Sequence, residues 1–338
     1  MVRYIARRLG QAVIVALGVV LVTFVLTRVI PGDPAITFAG IHATPQQLAD
    51  VRRHLGLDKP LSEQLARYIG QLLRGDLGTS VVTRHPVAQD LRSVVPASLE
   101  LSVTAMVIAL VAGLITGVLS ARYCRRWPDV GLRLGSMLSI SIPTFVLALT
   151  MQQVFGTGLH WLPVAGEYAQ SLTYTSPLRA YTHVTLIDAL LQGDFPVFTS
   201  TLQHLVLPAL TMASYPAAVI CQMTRAALIE EMSQDHVRFE RSLGFGERSI
   251  LTRLALRPSA SPVVAVVALV FAYALVNSFL IEEIFNWPGL GQYTVKAIQG
   301  DDTAAIAGVT LIVAFVYILL NLAVDVVQRA LDPRVAKT

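Results

Sequence analysis

Apolar runs of about 20 residues, the length that crosses a bilayer as a helix, recur near 9–30, 97–121, 134–156, 202–224, 263–281 and 304–327. They predict an all-α fold of six membrane helices. The polar stretches between them are unequal, and the longest covers 31–96. Within it Thr44-Pro45-Gln46-Gln47 predicts a helix to about Leu55, because Thr can cap and Pro suits the first helical position. Leu61 to Leu73 predicts a second, with Leu61, Leu65, Tyr68, Ile69, Leu72 and Leu73 on one face, broken by Gly75-Asp76-Leu77-Gly78. The segment therefore predicts a small ordered cap. A further polar segment, 157–201, is rich in Thr and Tyr and punctuated by Pro163, Pro177 and Pro196; it is long for a simple turn, and loops of that length tend to carry function.

A charged, amphipathic insert, 226–262, separates the fourth and fifth apolar runs. Ala226 to Met232 continues the preceding helix, made soluble by Glu230 and Glu231, and Gln234 to Leu243 predicts a short helix. Gly244 and Gly246 let the chain reverse, since glycine tolerates positive φ. Glu247 to Leu256 predicts another helix, with Ile250, Leu251, Leu254 and Leu256 as its apolar stripe, before Pro258 and Pro262 return the chain toward lipid. By spacing alone this insert fits either a surface gripped by a soluble partner or an amphipathic loop lying on lipid headgroups.

Composition fits the pattern: 54% of the 338 residues are hydrophobic and 14% charged, with a mean hydropathy of +0.60, too apolar for a water-soluble domain of this size. The net charge of +4 reads as topology and not as nucleic-acid binding. With the N-terminus cytoplasmic, the short inside segments hold Arg3, Arg7, Arg8, Arg122, Arg125, Arg126, Arg133, Arg225, Arg238, Arg241, Arg248, Arg253, Arg257, Arg329, Arg334 and Lys337. The shorter outside segments hold only Arg179 and Lys296; segment 31–96 mixes both signs, and long loops cross regardless of charge. Both termini, including the 329–338 tail, are thus expected in the cytoplasm. The run at 9–30 is too long for a signal peptide and ends in Pro31-Gly32-Asp33-Pro34, so residues 1–30 read as a cytoplasmic start and an uncleaved first helix. The expected organisation is 1–30, a cap at 31–96, a membrane core at 97–328 containing the 157–201 and 226–262 loops, and the tail.

Chemical motifs are absent. No His is followed by Glu, so HExxH does not occur, and there is no GxSxG. Of Lys59, Lys296 and Lys337 none follows glycine, so a phosphate-cradling GxxxxGK[ST] loop is missing, and any ATP is hydrolysed on another chain. Cys124 and Cys221 have no second Cys or His at ligand spacing. No catalytic, cofactor-binding or metal residue is assigned. Among polar groups in the apolar runs, Arg28 is expected to snorkel, Glu100 to be interfacial, and Asn321 and Asp325 to bond between helices. Glu282 and Glu283 end the fifth run beside Phe285 and Trp287, read as an aromatic anchor, and are candidates for a gate or an extracytoplasmic interface. His204, read at a helix end, is the nearest candidate for a proton site.

Aligned on Gly244, RFERSLGFGERSILTRLALRPSASP resembles the EAA loop of ABC-importer permeases of the dipeptide, oligopeptide and nickel class. YIARRLGQA, VTFVLTRVIPGDPA, LGLDKPLSEQ, RGDLGTS, SIPTFVLAL, EEIFNWPGLG and NLAVDVVQRALDPRV, in order along the chain, look like the same class. Three departures stand out: Arg238-Phe239-Glu240 where small residues are usual, Leu243 for a common Lys, and Pro258 for a common Asn. The resemblance implies a type I importer permease of a bacterial plasma membrane that couples to ATPases through Asp235, Arg238, Phe239, Glu240, Arg241, Gly244, Phe245 and Gly246. It implies a second homologous permease, two ATPase subunits or domains carrying ATP and Mg, an extracytoplasmic solute-binding protein, and a peptide substrate. A nickel or other small-solute permease, an ion-coupled secondary transporter and a membrane scaffold without transport are the alternatives.

Overall fold

The computed structural model describes residues 2–29, 43–256 and 258–331. In chain order its helices are α1 Val2–Val29, α2 Pro45–Leu55, α3 Leu61–Leu73, α4 Val87–Arg122, α5 Trp127–Ser141, α6 Thr144–Met151 with a π-helical extension Gln152–Gly158, and α7 Gln170–Thr175. They continue as α8 Thr185–Gln192, α9 Phe195–Met232, α10 Asp235–Ser242, α11 Glu247–Ser249 with a π-helical extension Ile250–Ala255, α12 Ala260–Ile284, α13 Leu290–Gln299 and α14 Thr303–Leu331. Among the described residues the pairing outside helices is a lone bridge, Thr79 with Pro86. The protein is all-helical, as its apolar periodicity predicts.

Among the described residues four helices are long and apolar enough to cross a membrane: α4, α9, α12 and the Thr303–Ala323 part of α14. The run at 134–156, expected as one membrane helix, is divided between α5 and α6 with its extension, bent by 102°. The cause is local. Ile142 precedes a proline and so leaves the helical region, at φ −81° and ψ 122°, and Pro143 has no N–H to continue the ladder. Counted as one span, the pair brings the total to five, and α1 contains a shorter apolar stretch, Gly10–Val25.

The chain divides into two compact units, Met1–Pro96 with Gly289–Leu319, and Ala97–Pro288 with Leu320–Thr338. In the first, Thr44 caps α2 by accepting from Gln47 N while the Gln47 side chain answers the Thr44 N–H, a complete capping box. Helix α3 packs on α1, with the Phe24 and Tyr68 rings 5.8 Å apart. Gly75 and Gly78, at φ +76° and +84°, end this stretch where the sequence predicts a break. Asp302 is a fully buried hub. Its Oδ2 accepts from Ser80 Oγ at 2.5 Å, Val81 N at 2.8 Å and Val82 N at 3.2 Å, and its Oδ1 caps α14 through Ala305 N at 3.0 Å. Asp90 accepts from Thr83 Oγ1 at 2.5 Å and from the Tyr293 hydroxyl at 3.1 Å; burial, then the Asp90 charge, pushes the Tyr293 phenol up.

The second unit is built around α9, which packs against α12, α5, α6 and α8. Its core mixes Leu101, Leu207, Ile220, Ile281, Phe285 and Trp287 with many alanines, among them Ala105, Ala109, Ala209, Ala213 and Ala274. Small residues suit a membrane bundle, where close backbone approach and van der Waals contact replace the hydrophobic drive. Gly113 and Gly117, one turn apart on α4, are the extreme case. A Cβ at Gly113 would lie 2.8 Å from the Ala217 carbonyl oxygen, and one at Gly117 2.8 Å from that of Cys221, so only glycine fits at either position. Two carboxylates tie segment 157–201 together: buried Asp188 accepts from Thr182 N, Thr182 Oγ1 and His183 N, and half-buried Glu167 from Thr185 Oγ1.

Candidate docking surface

Helix α9 runs unbroken from its apolar stretch into the polar insert and stops at Met232, as the acidic pair Glu230 and Glu231 suggested. Helix α10 then buries Val237 completely and turns its remaining face outward. At Gly244 the backbone takes φ +85° with open space around it, so glycine is needed here for conformation and not for room. Gly246 adopts an ordinary φ of −71°, so the reversal rests on Gly244 alone. The turn is clasped by Arg241, whose Nε and Nη2 donate to the Glu247 carboxylate at 2.7 and 3.1 Å. Beyond it Ile250 and Leu251 are buried, while the side chain of Leu254 lies outside the described residues.

The tip presents Phe239, Leu243 and Phe245, which are 64%, 60% and 51% exposed. Three large apolar side chains on a polar insert are costly to leave in water and form a patch suited to a protein partner. Asp235 and Arg238 flank them as an exposed pair 3.5 Å apart, and Glu240 is half-buried. All eight residues singled out from the sequence therefore lie on one short hairpin.

An ion-paired base sits behind the insert. Asp129, with its side chain 1% exposed, accepts from Arg225 Nε at 2.7 Å and Nη2 at 2.8 Å, from Ser120 Oγ at 2.5 Å and from Arg125 N at 2.9 Å. This ties the end of α4 and the start of α5 to α9 at the point where α9 passes from its apolar run into the insert. Ser259 Oγ donates to the Ala255 carbonyl at 2.6 Å, and at 3.3 Å to that of Ala227 on α9. Sequence reasoning missed the pair because 96 residues separate its partners; an acidic residue at the start of one apolar run and a basic one at the end of another was the available signal. The glycine spacing of 113 and 117 was a second overlooked signal.

Other polar residues fall differently from expectation. Glu100 is not interfacial: it is 7% exposed and its carboxylate receives Thr185 N at 3.2 Å and Leu186 N at 2.9 Å, capping α8. Phe285 and Trp287 do not anchor a membrane interface but lie in the core, at 2% and 0% exposure, and the Trp287 indole donates to the Ala97 carbonyl at 2.9 Å. Glu282 is buried and Glu283 exposed, so the two candidates for a gate or interface are not equivalent. His204 is no helix-end residue, because α9 begins at Phe195; its Nδ1 lies 2.8 Å from the Ser200 carbonyl oxygen. Asn321 is exposed on α14, while the side chains of Arg28 and Asp325 lie outside the described residues.

Long apolar helices define a multi-pass membrane protein, and its polar hairpin, tipped with exposed aromatics, is the candidate docking surface. Residues 109–337 match the family model for the binding-protein-dependent transport system inner membrane component, and residues 1–102 match its N-terminal counterpart. The chain is 38% identical, over 98% of its length and 96% of the relative's, to the probable D,D-dipeptide transport system permease protein DdpB of Escherichia coli K12. It is 37% identical, over 99% of both chains, to the di/tripeptide transport system permease protein DppB of Pseudomonas aeruginosa UCBPP-PA14. Against the glutathione transport system permease protein GsiC of Salmonella paratyphi A it is 34% identical over 99% of both chains. A chain of the inward-facing MetNI methionine ABC transporter shares the fold, with a TM-score of 0.51 at 16% identity over 70% of this chain and 93% of that one. This chain belongs to the family of binding-protein-dependent transport system inner membrane components.

Proposed function

We propose that this chain is one of two permease subunits of an ATP-driven importer of short peptides. The hairpin at Gly244 carries the reading: Phe239, Leu243 and Phe245 are exposed on a polar insert that directly follows α9. Partner ATPases, which hold the ATP and Mg, receive this tip, with Asp235, Arg238, Glu240 and Arg241 as its polar rim and Gly244 and Gly246 as its turn. Relatives named for D,D-dipeptides, di/tripeptides and glutathione support a peptide cargo over nickel or another small solute. In this reading α1 and the bent α5–α6 pair complete six spans within 1–30 and 97–328, and both termini and the 226–262 insert are cytoplasmic. The 31–96 cap and the 157–201 loop face outward to meet a solute-binding protein, with exposed Glu283 at that surface.

The chain itself performs no covalent step. Closure of the ATPases displaces the hairpin; because only Ser233 and Gln234 separate α10 from α9, and α9 runs without a break from Met232 into the core, the displacement reaches α12, α5 and α6, which pack on it. The switch is then a rocking of packed helices between two openings.

The test is affinity purification of the tagged chain with its co-expressed partners in mild detergent, followed by peptide uptake in proteoliposomes. Recovery of ATPases and a second permease from the parent, with loss of the ATPases alone from a Phe239→Ser, Phe245→Ser double variant, is the expected result. ATPases retained by that variant would sink the docking assignment, and uptake without ATPases would point to an ion-coupled transporter.

A further inference from the structure

The surfaces that the membrane helices of the 97–288 unit leave uncovered are of two kinds. Along α4, Val103, Val107, Val111, Ile115 and Leu119 are exposed at four-residue intervals, an aliphatic stripe suited to lipid. On α9 and α12 the pattern changes. Tyr273, 46% exposed near the middle of α12, has its ring centroid 4.7 Å from that of Tyr215, near the middle of α9. Asn277 lies one turn along α12 from Tyr273, and Gln222 is exposed on the Tyr215 face of α9 two turns further on. Carboxamides and phenols turned toward hydrocarbon at mid-helix are costly, and polar groups inside spans face a bundle interior or a watery cavity.

We propose that Tyr215, Gln222, Tyr273 and Asn277 form the wall along which the transported peptide passes, which rests on the peptide-importer reading above. Each group offers a neutral hydrogen bond. Asn277 Nδ2 already donates to the Tyr273 carbonyl at 2.9 Å, which leaves its Oδ1 to accept from a passing peptide N–H. Gln222 offers the same acceptor with two donors, and each phenol can donate or accept. The neighbouring exposed side chains on α12 are Leu269, Val276 and Leu280, with Glu283 exposed one turn beyond, so from Leu269 to Leu280 this stripe carries no fixed charge. Such a surface engages the amide backbone common to every peptide and lets varied side chains slide over aliphatic and ring surfaces. A cationic or anionic wall would hold one terminus too tightly to release it, whereas passage requires sites weak enough to leave.

The test uses the whole co-expressed complex in native membranes. Cys124 and Cys221 are first replaced by serine and uptake is verified; single cysteines are then placed by Gln222→Cys, Tyr273→Cys and Asn277→Cys. Val264→Cys and Phe271→Cys, on the opposite side of α12 where they line an apolar cavity, serve as controls. The probe is a charged, membrane-impermeant methanethiosulfonate, with and without ATP and tri-alanine. Labelling at 222, 273 and 277 about tenfold faster than at the controls is expected, since the charged probe reacts only where water reaches. Tri-alanine should slow it, and Tyr273→Phe and Asn277→Leu should raise the KM of peptide uptake about three- to tenfold, the loss expected for one neutral hydrogen bond. Labelling at 222, 273 and 277 no faster than at the controls would place the face against lipid or another helix and overturn the wall. Labelling that responds to ATP and to a different transported solute, but not to peptides, would support the wall and overturn the peptide reading.

Discussion

The buried pair Asp129 and Arg225 allows a quantitative forecast. All four hydrogen bonds to the Asp129 carboxylate are 2.9 Å or shorter, and its side chain is 1% exposed against 20% for Arg225. Removing either partner leaves an uncompensated charge, at a cost of about 3–5 kcal/mol. The exposures make the two losses unequal: an orphaned Arg225 can extend its long stem toward water, whereas an orphaned Asp129 has no such route. Arg225→Leu should therefore destabilise more than Asp129→Leu, and the double variant should cost less than Arg225→Leu alone, because no charge is left stranded. The assay is a double-mutant cycle on the purified complex, with unfolding in mixed micelles followed by far-UV circular dichroism. Additive single effects, or a larger cost for Asp129→Leu, would refute the claim that this pair is desolvated chiefly at its acidic end.

Gly244→Val, which must adopt the left-handed backbone at φ +85°, should strain the hairpin by about 1–2 kcal/mol; insertion and permease pairing should persist while ATP-dependent uptake falls, and normal uptake would count against the turn's importance. Gly117→Val drives a side chain into the Cys221 carbonyl and Thr224, so it should destabilise the bundle by about 1–3 kcal/mol, measured by the same micelle unfolding; Gly131→Val, where nothing lies within 4 Å, is the control. Burial raises the Glu167 carboxyl above its usual range, opposed by the Thr185 hydroxyl bond and aided by Asp188. Its protonated form is thus favoured by folding, so its stabilising contribution is complete below the ordinary glutamate range and is lost as pH rises through the raised folded value. Amide exchange across 182–192 should speed up over that interval, and Glu167→Gln should remove that component; an unchanged profile would show that Glu167 does not couple to the loop.

What could be read in the sequence was set by how local each signal is. The Thr44 capping box, the Gly244 reversal and the continuation of α9 to Met232 depend on neighbours within one or two turns, and the structure has each of them. The bend between α5 and α6 escaped an apolar-window reading because hydropathy is uniform across it, although Pro143 marked the place. Trp287 and Glu100 looked interfacial because aromatic and acidic residues near span ends commonly are. Their true partners, the Ala97 carbonyl and the N-terminus of α8, lie 190 and 85–86 residues away in sequence, beyond any local pattern. The Asp129–Arg225 pair and the Tyr215–Tyr273 contact were hidden for the same reason.

The outward-facing Phe239, Leu243 and Phe245 also bear on the life of the subunit before assembly. A chain inserted without its partners displays three large apolar side chains in water, the kind of surface that aggregates and that chaperones and proteases continually triage. The hairpin would then act as a tally of assembly: covered, it spares the subunit; bare, it marks the subunit for removal. Cells making this chain alone should hold little of it, and its abundance should follow that of whatever protein covers the tip.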